Sequence, residues 1–147
     1  MNSQMNLASH VMAVLCHKVN EGAVTSDELA EGFGTNPVVI RRIISLLKDA
    51  SLVGSKAGVG GGSVLLKSPH EITMLDIYNA INLENKTNIV FAKYSSRCEV
   101  GLSLAPIISD LLDEISADAK KVLLKSLKKI TLFQFTKKVS RKLKKAI

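Results

Sequence analysis

Residues 52–68 read LVGSKAGVGGGSVLLKS and place five glycines within nine residues, between two short apolar runs. Glycine-rich stretches of this kind form either phosphate-binding loops or tight turns between strands. A P-loop needs a lysine after its last glycine and then a helix, so that backbone N–H groups and the helix dipole face the anion. Here Ser63 follows the last glycine, and the apolar run 64–66 continues as a strand until Pro69. The stretch therefore predicts a β-hairpin, whose turn uses the positive φ that glycine adopts easily.

Two short helices with a glycine between them precede this hairpin. Thr25 and Glu28 have the three-residue spacing of a capping box, and Gly34 is typical of a helix C-terminus. Asn36 is a good N-cap, and Pro37 suits the first helical position because its missing N–H would be unpaired there. The apolar residues that follow fall on one helical face: Ile40, Ile43, Ile44 and Leu47. This pattern predicts a helix-turn-helix followed by a wing, with the second helix presenting its N-terminal end to the DNA major groove.

The rest of the chain predicts further helices. An amphipathic helix covers 4–20, and another begins at Thr73 and Asp76 in a second capping-box pattern. After a polar stretch, apolar residues with helical periodicity indicate one long helix near 101–128, in which Pro106 is tolerable only in the first turn. The segment 131–147 is either a short further helix or a basic tail. Because the long helix has more apolar surface than its own chain covers, we expect a dimer to bury it.

The predicted fold class is mainly α with a small β-hairpin. A winged helix-turn-helix domain occupies 1–82, and 83–147 contains a loop, a long dimerisation helix and a basic C-terminal segment. Apolar residues make up 46% of the chain, aromatic residues only 4%, and tryptophan is absent. The core is therefore expected to be aliphatic.

Residue spacing argues against an enzyme, a metal site and a membrane span. The two cysteines and three histidines form neither a catalytic constellation nor a metal-ligand motif. No apolar run approaches the roughly 18 residues that a membrane span requires. The N-terminal stretch MNSQMNLASH lacks the basic start of a secretory signal. We therefore expect a cytoplasmic protein with no membrane partner.

The net charge of +7 is unevenly distributed. Residues 1–82 carry six basic and seven acidic side chains, a net −1, whereas 83–147 carry fourteen basic and six acidic ones, a net +8. A basic balance suits a nucleic-acid partner. However, much of the basic charge lies in the C-terminal run TKKVSRKLKKAI. If that run is a solvated face or tail, its charge carries no information about function.

The combined pattern resembles the Rrf2 family of bacterial winged-helix transcription regulators. The resemblance covers residues 1 to about 130 and is carried by the helix 25–33, the segment NPVVIRR at 36–42, and the run 52–81. It implies a homodimer that binds double-stranded DNA at an inverted repeat, with the long helix as the dimer interface.

Within this pattern an arginine can pair with guanine or grip a phosphate, and a valine methyl can touch a thymine methyl. The residues expected to contact DNA are Ser26, Asn36, Pro37, Val38, Val39, Arg41, Arg42, Lys56, Gly58 and Gly60. Those expected at the dimer interface are Leu104, Ile108, Leu111, Leu112, Ile115 and Val122.

The sequence departs from the family pattern at two places. Ala57 stands where many members have an arginine before the wing glycines, so Lys56 is the cation left there. Iron–sulfur members carry three clustered cysteines before the dimer helix, whereas this chain has only Cys98 in that segment. We therefore expect no cluster or other cofactor.

Cys98 has a separate possible role in redox sensing. Arg97 and the nearby helix start favour its thiolate form, so we hypothesise that its oxidation to an intersubunit or mixed disulfide alters DNA affinity, the alternative being an unreactive cysteine. For the whole protein, the alternative to a DNA-binding repressor is a protein–protein adaptor built on a winged-helix scaffold.

Overall fold

The computed structural model of the chain describes residues 3–82 and 99–146. Helices and strands follow one another in the order α1 (Ser3–His17), α2 (Ser26–Phe33), α3 (Pro37–Asp49), β1 (Val53–Lys56), β2 (Gly62–Leu65), α4 (Met74–Asn82), α5 (Glu99–Lys128) and α6 (Leu132–Ala146). The chain divides into two compact units, one of residues 1–84 with 127–147 and one of residues 85–126. The prediction of a mainly α fold with one β-hairpin is confirmed.

The core of the first unit is aliphatic, as the composition predicts. Helix α1 packs against α3, α4 and α6, and α3 also packs against α2 and α4. The four apolar residues predicted on one face of α3 are all buried: Ile40, Ile43, Ile44 and Leu47. With that face in the core, the opposite face of α3 is left to solvent.

The two strands form an antiparallel hairpin in which Val53 pairs with Leu65 and Lys56 with Gly62. The sequence places the strands at 52–53 and 64–66, so the observed β1 extends further into the glycine-rich stretch. Strand β2 starts at Gly62, earlier than predicted, where it pairs with the end of β1, and Val24, just before α2, also pairs with it. The Val24 N–H donates to the Ser63 carbonyl at 3.0 Å, and the Ser63 N–H donates to the Val24 carbonyl at 2.7 Å. The wing is thereby joined directly to the helix-turn-helix.

Side-chain caps begin α2, α3 and α4 where the sequence predicts them. In α2 the Glu28 N–H donates to Thr25 Oγ1 at 3.2 Å while the Thr25 N–H donates to Glu28 Oε2 at 2.7 Å. The pair Thr73 and Asp76 makes the same reciprocal bonds before α4. Each cap satisfies backbone N–H groups that a helix start leaves without a partner.

In the C-terminal half one expectation needs correction, and of two open alternatives the structure shows the helix. Helix α5 begins at Glu99, so Pro106 lies inside the helix and not in its first turn. A proline there removes one backbone hydrogen bond. The hydrogen bonds of the neighbouring turns maintain the 30-residue helix without it. The segment predicted as a short helix or a tail is the helix α6, and Leu132 at its start is fully buried.

The start of α6 is fixed to the loop between β2 and α4. The Leu132 N–H donates to the Ile72 carbonyl at 2.7 Å, and the Phe133 N–H donates to the Pro69 carbonyl at 3.0 Å. Residues 127–147 therefore belong to the same compact unit as residues 1–84. The sequence prediction assigns these two ranges to different parts of the chain, divided after residue 82. Among the described helices, none has the length and apolar character that crossing a membrane requires.

Candidate nucleic-acid interface

The N-terminal end of α3 presents two valines to solvent. The Asn36 Oδ1 atom accepts the Val38 N–H at 2.8 Å, and Pro37 occupies the first helical position. The cap and the proline together form the start of the first turn of α3. There Val38 is 65% exposed and Val39 43% exposed. Apolar side chains this exposed on a capped helix end are available to a partner, and thymine methyl groups are suitable contacts.

The two arginines of α3 differ in their contacts. Arg41 Nη2 lies 2.9 Å from Asp27 Oδ1, and Arg41 Nε donates to Ser26 Oγ at 3.2 Å, so this side chain links α3 to α2. Arg42 is exposed and forms no hydrogen bond or ion pair with the described residues. An exposed ion pair such as that of Arg41 contributes about 1 kcal/mol or less. Arg42 is thus available as it stands, whereas Arg41 has first to leave Asp27.

The tip of the wing depends on its glycines. Gly58 and Gly60 have φ of +85° and +69°, which side-chain-bearing residues rarely adopt, and Val59 between them is fully exposed. A Cβ atom on Gly61 would clash with the Lys56 carbonyl oxygen. The turn therefore brings bare backbone to the surface beside the exposed Lys56 side chain.

A groove of about 480 Å³ separates α3 from the wing. Of the residues expected to contact DNA, four line it: Ser26, Arg41, Lys56 and Gly58. Ser45, Lys48 and Ser63, which were not among the residues expected to contact DNA, also line it. The position of Lys48 could have been predicted from the sequence, because it lies seven residues after Arg41 and therefore on the same side of α3. No comparable signal exists for Ser63, which the pairing with Val24 places at the groove.

Electrostatics at the start of α2 follow from its cap. The Thr25 N–H, and after it the Thr25 hydroxyl at 2.8 Å, donate to the Glu28 carboxylate and hold its pKa below the usual range. Both donations favour the ionised form. The Glu28 carboxylate is thereby fixed to the backbone of its own helix.

Apolar side chains line one side of α5 in the second unit. Among the residues expected at a dimer interface, Leu104, Ile108, Leu111, Ile115 and Val122 are exposed, whereas Leu112 is half-buried. The exposed five follow the alternating three- and four-residue spacing of a coiled-coil seam, with Asp118 at the position between the last two. Ile107 is exposed as well and lies beside this seam.

These features define a winged helix-turn-helix transcriptional regulator. The comparisons agree with this class: the profile of the Rrf2 family, described as an iron-dependent transcriptional regulator, matches residues 1–138. The chain belongs to the Rrf2 family. It is therefore a DNA-binding regulator and not an enzyme, and no comparison favours the protein–protein adaptor.

Individual relatives support this assignment. The chain is 32% identical over 130 residues to YwnA of Bacillus subtilis (strain 168), described as an HTH-type transcriptional regulator, covering 88% of this chain and 95% of YwnA. It is similar in fold to a transcriptional regulator of Lactobacillus plantarum, with TM-score 0.73, 22% identity, and coverage of 95% and 91% of the two chains. It is also similar in fold to CymR, the global cysteine regulator of B. subtilis, with TM-score 0.64, 24% identity, and coverage of 93% and 95%.

The family description raises the question of iron, and the residues present do not fit a cysteine-ligated cluster. Such clusters are held by several thiolates, whereas the whole chain has two cysteines. Cys16 lies in α1 with its Sγ 3.6 Å from Thr136 Oγ1, and Cys98 lies outside the described residues. Within 3–82 and 99–146, no group of three His, Cys, Asp or Glu residues could hold a metal ion. The absence of a cofactor stays a prediction.

Proposed function

We propose that the protein is a homodimeric repressor that recognises an inverted repeat in double-stranded DNA, acting in the cytoplasm. The observation that carries this proposal is the first turn and a half of α3. Val38, Val39 and Arg42 are exposed there, and their side chains have no hydrogen bond or ion pair with the described residues, on a helix whose other face is buried in the core. A helix of this kind can enter the major groove with its N-terminal residues against the base edges.

Each expected contact has a distinct role in this proposal. Arg42 pairs with a guanine, and Val38 and Val39 contact thymine methyl groups. Asn36 and Pro37 set the direction of α3, because the Asn36 side chain is already used as the cap. Ser26, at the start of α2, contacts phosphate, and Arg41 of α3 does so after leaving Asp27. The wing contributes Lys56 and the exposed backbone at Gly58 and Gly60.

Dimerisation is proposed to occur through the apolar seam of α5. Exposed apolar residues repeated over several heptads are the pattern by which helices pair. A symmetric dimer presents two α3 helices, which accounts for an operator made of two inverted half-sites. Leu112, being half-buried, lies at the edge of the proposed interface.

Selection of bound duplexes from a random pool tests this proposal. We expect an inverted repeat whose half-sites are centred about one helical turn, or a multiple of it, apart. Arg42→Ala should relax the preference at one symmetric pair of positions, with a loss of about 1–3 kcal/mol for the preferred base. A selected pool without any repeated sequence would contradict sequence-specific recognition.

Cys98 is proposed to make DNA binding sensitive to thiol oxidation. The support is the sequence, in which Arg97 precedes the cysteine, and the description of the similar fold CymR as a cysteine regulator. Oxidation to a disulfide should lower operator affinity, and a reductant should restore it. A Cys98→Ser variant that kept full oxidant-induced release of DNA would contradict this role.

A further inference from the structure

The groove between α3 and the wing has a lining that selects an anion. Three cations line it, Arg41, Lys48 and Lys56, and its lining residues include no Asp or Glu. Thr25 and Ser26 line it at the start of α2, where the helix dipole is positive. Arg41 is engaged by Asp27, so Lys48 and Lys56 are the cations of the groove that have no partner among the described residues.

The Ser63 hydroxyl adds a hydrogen-bond donor to the wall of the same groove. Ser63 is 5% exposed, lines the groove, and makes no side-chain hydrogen bond with the described residues. A hydroxyl at the wall of a cationic groove can donate to a phosphate oxygen.

We propose that this groove binds one phosphate of the DNA backbone, held between Lys48 of α3 and Lys56 of β1, with the Ser63 hydroxyl donating to one of its oxygens. The inference rests on the proposed entry of α3 into the major groove. Either strand of the duplex then runs beside the helix, and the strand on the wing side passes between α3 and the wing. Phosphate contacts of this kind fix the register of the protein on DNA without reading sequence.

Binding measurements on single variants provide the first test. Lys48→Gln and Lys56→Gln should each weaken binding by about tenfold. Each should also reduce by about one the slope of log affinity against log salt concentration. Both losses should be equal for the selected operator and for a random-sequence duplex. Ser63→Ala, which keeps the volume of the site, should lose affinity without changing the salt slope. Lys121→Gln removes the same charge from α5 and serves as the matched control.

A scan of the DNA backbone provides the second test. Replacing single phosphodiesters of the operator with neutral methylphosphonates should reveal one position in each half-site at which the wild type loses affinity. That position should matter less to Lys48→Gln and to Lys56→Gln than to the wild type, because each variant has lost one of the two cations that hold the phosphate. If both variants remain as sensitive there as the wild type, or if Lys121→Gln shows equal losses, the proposal is wrong.

Inorganic phosphate distinguishes the two possible sources of the anion. At matched ionic strength, inorganic phosphate should compete with DNA only slightly better than chloride does, since a duplex supplies many phosphates at once. If phosphate shifts the Ser63 amide resonance while Lys48→Gln leaves DNA binding unchanged, the groove is a free-anion site and its assignment to DNA is wrong. If the lysine variants behave as expected but Arg42→Ala leaves the selected sequence unchanged, the groove stands and the base-reading role of α3 fails.

Discussion

At the scale of single residues, Arg41 and Arg42 are neighbours in sequence that make different contacts. Arg41 is bound to Asp27 and Ser26 of α2, whereas Arg42 has no partner in the described parts of the chain. The Asp27 carboxylate therefore holds one cation of the proposed DNA-binding surface and adds a negative charge of its own. Because the pair is exposed, its contribution to stability is about 1 kcal/mol or less.

We predict that Asp27→Asn tightens DNA binding. The change releases Arg41 and removes a charge that repels phosphate, so affinity at low salt should rise by about three- to tenfold, corresponding to roughly 1 kcal/mol. Fluorescence anisotropy with a labelled duplex measures this. Glu31→Gln makes the same charge change on α2 without releasing an arginine and should have a smaller effect. Weaker binding by Asp27→Asn would show instead that Asp27 orients Arg41 for its contact.

Gly62 is the glycine at which the wing approaches the helix-turn-helix most closely. Its φ is +149°, and a Cβ atom there would lie 2.6 Å from both the carbonyl carbon and oxygen of Val24. We predict that Gly62→Ala lowers the free energy of unfolding by about 2 kcal/mol or more, because both strain and a backbone clash are added. Gly32→Ala in α2, where nothing lies within 4 Å, should raise it by about 0.5–1 kcal/mol. Urea unfolding measures both, and equal stabilities would contradict the argument.

At the scale of the elements, the starts of α2, α3 and α4 were predictable because their signals are local. A Thr-x-x-Glu pattern or an Asn-Pro pair places cap and helix within four residues of one another. The pairing of Val24 with Ser63 and the packing of α6 against Ile72 were not predictable, since each joins residues that are distant in sequence. The capped, exposed N-terminal end of α3 could be predicted from sequence because its signal is local, whereas the position of Ser63 in the groove could not.

The cap of α2 gives a pH dependence whose sign follows from the lowered pKa of Glu28. Its carboxylate is stabilised in the folded state by Thr25, so the contribution is present above the ordinary glutamate pKa. It is lost as the pH falls through the lower folded pKa. Glu28→Gln keeps an oxygen for the Thr25 N–H but carries no charge. We predict that the difference in free energy of unfolding between the wild type and this variant becomes smaller as the pH falls. Urea midpoints from about pH 6 to about pH 3 measure this. Glu31→Gln, whose side chain lacks such bonds within the described residues, should show no such convergence.

At the scale of the whole molecule, the C-terminal residues that pack with the helix-turn-helix give that compact unit a different net charge. Residues 1–82 alone carry a net −1. The compact unit of residues 1–84 and 127–147 contains fourteen basic and eight acidic side chains, a net +6. The difference comes from the end of α5 and from α6, whose residues 137–145 are all exposed. The basic C-terminal run is thus part of the unit that contains the helix-turn-helix, where it can attract a polyanion.

We predict that replacing the six cations of 137–145 with Gln slows association with DNA. The rate constant at low salt should fall by about tenfold and the difference should vanish at high salt, since exposed charges act mainly through long-range attraction. The thermal midpoint should change little, because these side chains are not in the core. Stopped-flow anisotropy measures the rates. Replacing Lys120, Lys121 and Lys125 of α5 with Gln is the control, and equal slowing would contradict a special role of α6.

Dimerisation is the property on which recognition of an inverted repeat depends. Ile115 lies in the middle of the α5 seam and is 59% exposed. We predict that Ile115→Asp yields a monomer, because two carboxylates would face each other in an apolar interface. Ala117→Asp, two residues on and therefore on another side of α5, should remain dimeric. Sedimentation equilibrium measures the states, and operator titration should show Ile115→Asp binding single half-sites with at least about hundredfold weaker affinity, as loss of linked binding requires. An Ile115→Asp protein that remains dimeric would place the interface elsewhere than the α5 seam.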